Sequence, residues 1–214
     1  MTDTLPALIT GASRGLGAAL AETLAADGHV IAVARTTGAL EALDDRIQAA
    51  GGQATLAPMD VTDAGAMAHL CRSIYDRWGG LRLWAHTAIY PPPLAPADHI
   101  ERKDIDKIVS VNISATATLI PMVAPLLGPN AHALFFEDAQ SDKKFFGAYA
   151  AGKSAQIALA RAWAAETERA GPKVHILTPK PMATHVRSRF FPGEDRTVLT
   201  PVMDEAKRLL ATLT

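Results

Sequence analysis

The sequence predicts a three-layer α/β/α fold built on a parallel, doubly wound sheet of six strands. Three observations predict it. Short β-branched runs such as VIAVA (30–34) and KVHILT (173–178) alternate with helical patterns along all 214 residues. A Gly-rich turn, TGASRGLG (10–17), stands directly between the first strand and the first helix. No repeat or low-complexity linker interrupts the alternation, so residues 1–214 read as one domain.

Taken in order, residues 5–10 (LPALIT) give the first strand and 15–27 the first helix. The second strand is 30–34. A helix at 38–50 follows, stopped by Gly51-Gly52. The third strand spans 53–59. The helix at 63–78 is capped by Asp63 and ended by Gly79-Gly80. The fourth strand is 81–87, and the loop 90–97 carries four prolines. Residues 98–127 are helical in two pieces, with Pro121 and Pro125 breaking the end. The fifth strand is 131–136, the long helix 148–170 and the sixth strand 173–178. Residues 182–195 read as irregular, and 201–213 as a last helix. Right-handed crossovers then place a ligand crevice at the carboxyl ends of the strands.

Composition narrows the function. Apolar residues make up 49% of the chain, and 21 basic against 22 acidic residues leave a formal charge of −1. That balance gives no basic excess for nucleic acid. Cys71 is the single cysteine, so no internal disulfide forms, which fits a reducing cytoplasm. Cys71 and His69 do not share a helix face, and no metal site is expected. The N-terminus lacks a basic, then apolar, leader pattern, and no run of about 18 apolar residues predicts a membrane span.

The turn at 10–17 points to a phosphate-bearing ligand. Its glycines at 11, 15 and 17, with Ser13, Arg14 and Leu16 between them, let backbone approach a pyrophosphate closely. The helix that follows supplies free N–H groups and partial positive charge. At the end of the second strand, where a carboxylate would accept from the ribose hydroxyls of NAD, the chain reads Arg35-Thr36-Thr37. Arg35 and Arg14 suit a 2′-phosphate, so NADP(H) is expected over NAD(H). Tyr149 and Lys153, at i and i+4, share one helix face. An ammonium there favours phenolate, lowers the Tyr149 pKa and tunes it for proton transfer.

These features together resemble the short-chain dehydrogenase/reductase family over nearly the whole chain. The resemblance rests on TGASRGLG, on Asp60-Val61 after the third strand, on Asn112 and on Tyr149-x-x-x-Lys153. It implies a Rossmann-type sheet, Asp60 on the adenine amino group, and hydride exchange between NADP(H) and a small carbonyl or alcohol. Tyr149 would be acid/base, Lys153 its electrostatic partner, and Asn112 part of a proton relay. It also implies a homodimer through the helices at 98–127 and 148–170. The family often closes with a seventh strand; here Thr214 follows the last helix.

The chain departs from the family pattern at the catalytic end. The family's serine, about a dozen residues before the tyrosine, is replaced by the stretch Phe135-Phe136-Glu137-Asp138, and Ser141 lies eight before. An ionised carboxylate cannot donate a hydrogen bond to the substrate oxygen; a protonated one can. The family's Asn-Asn-Ala-Gly is His86-Thr87-Ala88-Ile89 here. Its Pro-Gly-x-x-x-Thr becomes Pro179-Lys180-Pro181-Met182-Ala183-Thr184, keeping Thr184 for the cofactor. Residues 187–195 (RSRFFPGED) resemble a substrate-side loop of some bacterial members. Two readings stand: an NADP(H)-dependent oxidoreductase, or a cofactor-binding protein that no longer turns over.

Overall fold

The computed structural model describes residues 5–139 and 143–213. Six strands pair in parallel in the order β3-β2-β1-β4-β5-β6. They are β1 (Ala7–Thr10), β2 (Val30–Ala34), β3 (Ala54–Pro58), β4 (Leu81–His86), β5 (Leu127–Phe136) and β6 (Lys173–Leu177). The helices are α1 (Gly15–Leu24), α2 (Thr37–Ala49), α3 (Ala64–Trp78), α4 (Arg102–Ile108), α5 (Ala115–Val123), α6 (Gly147–Thr167), α7 (His185–Phe190) and α8 (Val202–Leu210).

Side-chain alternation explains the layers. Ala7, Ile9, Val30, Ala32, Leu83 and Ala85 point to one face, where they pack with Leu20, Leu40 and Leu209 of α1, α2 and α8. Leu8, Ile31, Trp84 and Phe135 point to the other, against Met67, Leu119 and Ile157 of α3, α5 and α6. Both faces are covered, which is why the strands read as continuous apolar runs. Burying each large side chain contributes roughly 1.5–3 kcal/mol. Strand order reverses between β1 and β4, and the crevice opens above their carboxyl ends.

Helix ends follow local chemistry. The Asp63 carboxylate accepts from the Ala66 N–H at 2.9 Å and starts α3; Gly79, at φ 78°, ends it. The helical stretch expected in two pieces at 98–127 runs from Arg102 to Leu126 as one rod, with a π turn at Val109–Ser114 between α4 and α5. Its length and apolar composition would suffice to cross a membrane, but here Ala115, Leu119 and Val123 face the core.

Two expectations need correction. Residues 182–195 are not wholly irregular, because α7 forms within them, started by the Thr184 hydroxyl accepting from the Arg187 N–H at 3.2 Å. Its six residues are too short to show a helical period. Strand β5 also begins earlier than residue 131: Leu127 pairs with Leu81, and the register shifts before Leu83 meets His132. Gly128-Pro129-Asn130 lacks strand character in sequence and falls within that shift, where β4 gives it no paired residue.

Candidate active site

A cavity of about 490 Å³ opens at the carboxyl ends of the strands. Of the thirteen expected site residues, twelve line it: Gly11, Ser13, Arg14, Gly15, Leu16, Gly17, Arg35, Asp60, Val61, Tyr149, Lys153 and Thr184. Asn112 does not; it is wholly buried beside the cavity.

The glycines of the turn do different things. Gly11 (φ 95°) and Gly15 (φ 57°) adopt the left-handed region. Gly17 has ordinary φ, yet a Cβ there would lie 2.3 Å from the Gly11 carbonyl oxygen and 2.4 Å from Thr87 Oγ1. That hydroxyl donates to the Thr10 carbonyl at 2.9 Å and to the Gly11 carbonyl at 3.2 Å. Thr87 therefore pins the turn to the end of β4. Sequence reasoning missed this role, since its only signal was a position in an altered motif.

Arg35 reaches Asp60 at 3.6 Å, with Arg35 well exposed and Asp60 partly so. Such a pair contributes at most about 1 kcal/mol, so Arg35 can turn to a phosphate at small cost. Arg14 is exposed at the mouth of the turn.

Tyr149 is buried against Phe146 and Phe190, edge to face, its ring centroid 4.8 Å from that of Phe190. Its hydroxyl donates to Asp138 Oδ2 at 2.6 Å. Burial, then the Asp138 charge and hydrogen bond, raise the Tyr149 pKa far above a phenol's usual value. This corrects the expectation that Lys153 lowers it. The Lys153 ammonium instead donates to Gln156 Oε1 at 2.7 Å, and burial pulls its pKa down to about 8 against the opposing charges of Asp138 and Glu137.

The comparisons with known proteins place the chain in a family. The family model for short chain dehydrogenases matches residues 6–195. The chain belongs to the short-chain dehydrogenase family. It is 29% identical over 182 residues to a sorbitol dehydrogenase of Cereibacter sphaeroides, covering 83% of this chain and 70% of that one. It is 30% identical over 196 residues to a gluconate 5-dehydrogenase of Gluconobacter oxydans, covering 89% and 76%. A solved structure described as a short chain dehydrogenase from Pseudomonas syringae superposes with TM-score 0.87 at 27% identity, covering 94% of this chain and 85% of that one. A short chain dehydrogenase from Burkholderia cenocepacia in complex with NADP shares the fold, with TM-score 0.84 at 24% identity and coverage of 97% and 89%. The protein is an oxidoreductase of this family.

In the site of this short-chain dehydrogenase, the residues read above as departures each have defined partners. Glu137 pairs with Arg161 at 2.7 Å, which ties its carboxylate to α6. Asp138 lines the crevice and accepts from Tyr149. Ser141, the other candidate, lies outside the described residues.

His86 is a strut. Thr116 donates to the Asn112 carbonyl at 3.0 Å, so its oxygen accepts from Gln156 Nε2 (3.1 Å) and from His86 Nε2 (3.0 Å). His86 Nδ1 then accepts from Thr10 at 2.8 Å. Burial, then the Lys153 charge, hold His86 neutral with a pKa near 3. These groups form a buried polar chain directly under the crevice. Asn112 uses its side chain to bridge the Tyr90 backbone, Oδ1 accepting from N–H at 2.7 Å and Nδ2 donating to the carbonyl at 3.2 Å. Its backbone carbonyl accepts from the Thr116 hydroxyl at 3.0 Å.

Past β6, the wholly buried Glu205 carboxylate accepts from the Lys180 backbone N–H at 2.8 Å and from Arg208 at 2.6 and 2.9 Å. It anchors the Lys180 segment to α8, a contact between residues 25 apart that the sequence did not signal. The Cys71 thiol is buried in α3, and burial pushes its pKa up to about 11.

Proposed function

We propose that the protein is an NADP(H)-dependent oxidoreductase that moves hydride between the nicotinamide and a small carbonyl or alcohol substrate. The observation that carries this is the convergence of the Gly11–Gly17 turn, Arg35 and the Tyr149–Lys153 pair on one cavity. The turn fits a pyrophosphate: Gly11 and Gly17 leave no room for a side chain, so backbone lines the approach. Arg35 and Arg14 would hold a 2′-phosphate, Asp60 and Val61 the adenine end, and Thr184 the nicotinamide end. When bound, the nicotinamide supplies or accepts the hydride. The fold neighbour from Burkholderia cenocepacia was solved with NADP, which supports the same ligand class.

Tyr149 orients the reacting oxygen and handles its proton, and Lys153 sets the local charge with Asn112 and Gln156 behind it. The aromatic cluster of Phe146, Tyr149 and Phe190 shields the site from water. The reading includes a cytoplasmic setting and a homodimer through the α4–α5 rod and α6, whose alanine-rich sequence allows close helix packing.

Calorimetry with NADPH and NADH, then turnover on an alcohol and carbonyl panel, tests the proposal. NADPH should bind at least tenfold more tightly, and Tyr149→Phe should cost at least a hundredfold in kcat/KM; parity in either result defeats the corresponding claim. Asp138 on Tyr149 favours one second reading, a cofactor-binding protein without turnover. Tight NADPH binding with no activity on any panel member would select it.

A further inference from the structure

Tyr90 opens the proline loop at 90–96 and lines the crevice between Ile89 and Pro91. Three contacts hold it. Its hydroxyl donates to Asp104 Oδ1 at 2.5 Å. The Asn112 side chain bridges its backbone N–H and carbonyl. The Lys107 ammonium, one turn along α4 from Asp104, stands 5.4 Å from its ring centre. Asp104 does not line the crevice and is only 7% exposed. A buried carboxylate needs a donor, and Tyr90 supplies one. The Asp104 hydrogen bond, then burial and the Asp104 charge, raise the Tyr90 pKa against the opposing Arg189 charge. The phenol thus keeps the proton that makes the contact. At the far end of the loop, the Ala95 N–H donates to the Phe145 carbonyl at 3.3 Å. Leu94 packs there on the cluster of Phe146, Tyr149 and Phe190. The loop therefore connects α4 to the Tyr149 ring.

We propose that Asp104 is a positioning residue of this site: acting through Tyr90, it fixes the 89–91 wall on which the apolar body of a substrate rests. The inference rests on the oxidoreductase reading above and deepens it, since it makes that wall a discriminator of substrate size. Asn112 holds the Tyr90 main chain, so the main chain stays in place without Asp104. The direction of the ring is left to the bond from its hydroxyl. Without that bond the ring turns about its side-chain torsions and the wall loosens. A substrate large enough to reach the wall loses contact, and a small one does not. The contact is equal in the ground and transition states, so its loss raises KM and leaves kcat in place.

Steady-state kinetics with NADPH on cyclohexanone and the smaller acetone test it, beside an ultraviolet titration of tyrosinate that needs no substrate. Asp104→Leu and Tyr90→Phe should each raise KM for cyclohexanone at least tenfold. Both should leave kcat, and KM for acetone, within about threefold of wild type. The double variant should be no worse than the worse single one, because both remove the same bond. Asp104→Asn keeps an acceptor and should hold KM within about threefold, while the lost charge lowers the pH at which Tyr90 ionises. Tyr90→Phe identifies that signal. Should Asp104→Leu not fold, Tyr90→Phe, which removes one oxygen, decides. Equal rises in KM for both ketones, a fall in kcat at constant KM, additive losses or an unmoved Tyr90 titration each overturn the proposal. If turnover with NADPH survives and KM does not move, this inference alone fails. If NADPH does not bind, or no alcohol or carbonyl is turned over, the underlying reading fails and this inference with it.

Discussion

The Lys153 ammonium and the Gln156 amide oxygen meet at 2.7 Å with both side chains almost fully buried. A buried charge needs such an acceptor, because the cost of losing water is otherwise uncompensated. Gln156 is in turn held by Thr116 at 3.1 Å. The position of the cation over the crevice thus depends on a residue three places along the same helix. Gln156→Leu should therefore lower stability near pH 7 by about 1–3 kcal/mol. Because the folded-state pKa of Lys153 is about 8, below its ordinary 10.5, the folded state bears the penalty of the charge below pH 8. That penalty lifts as pH rises from 8 toward 10.5. The deficit of the variant should shrink as pH rises toward 8 and stay constant above it, where Lys153 is neutral in the folded state of both proteins; denaturant unfolding measures it, and a pH-independent deficit would contradict the role.

His86 makes the protein acid-sensitive. Its folded-state pKa lies near 3 against an ordinary 6.5, so the unfolded chain binds the extra proton between those values. The contribution is complete above pH 6.5 and is lost as pH falls toward 3. At pH 5 the loss should be about 2 kcal/mol. His86→Asn should flatten the stability profile between pH 6.5 and 4, measured as the difference from wild type so that other histidines cancel.

Gly17 is fixed by close approach and not by its backbone angle. Gly17→Ala should weaken NADPH binding at least tenfold and lower Tm, since the added Cβ meets the Gly11 carbonyl and Thr87. Gly128→Ala, with nothing within 4 Å of its Cβ, is the matched control and should change neither. Fluorescence titration and thermal melts check both.

Glu205 couples the last helix to the crevice. Glu205→Gln keeps the shape but removes the negative charge that pairs with Arg208 and weakens the bond from the Lys180 N–H. A loss of about 2 kcal/mol in unfolding free energy is expected, discounted for the part-exposed Arg208. NADPH affinity should fall with it, because the 179–182 stretch lines the cavity. Full affinity would separate α8 from the site.

The fold was legible in the sequence because its signals are local. Strand β2 is a bare β-branched run and was bounded at 30–34 as found; α3 announced itself with Asp63 and Gly79. The short α7 and the start of β5 were not legible, since neither carries a period and both depend on neighbours. The site was legible as a set of positions: the glycine spacing and the Tyr149–Lys153 interval predicted residues that share one cavity.

The sequence by itself determined the alternating elements, the Gly-rich turn and the shared helix face of Tyr149 and Lys153, because each is a matter of spacing along one chain. Only the tertiary structure decided what those groups touch. It gave Glu137 to Arg161 and Asp138 to Tyr149. It turned Lys153 toward Gln156 and closed His86 between Thr10 and Thr116. Proton positions and charge states follow from burial and from partners brought together across the sheet, and spacing in sequence does not encode either.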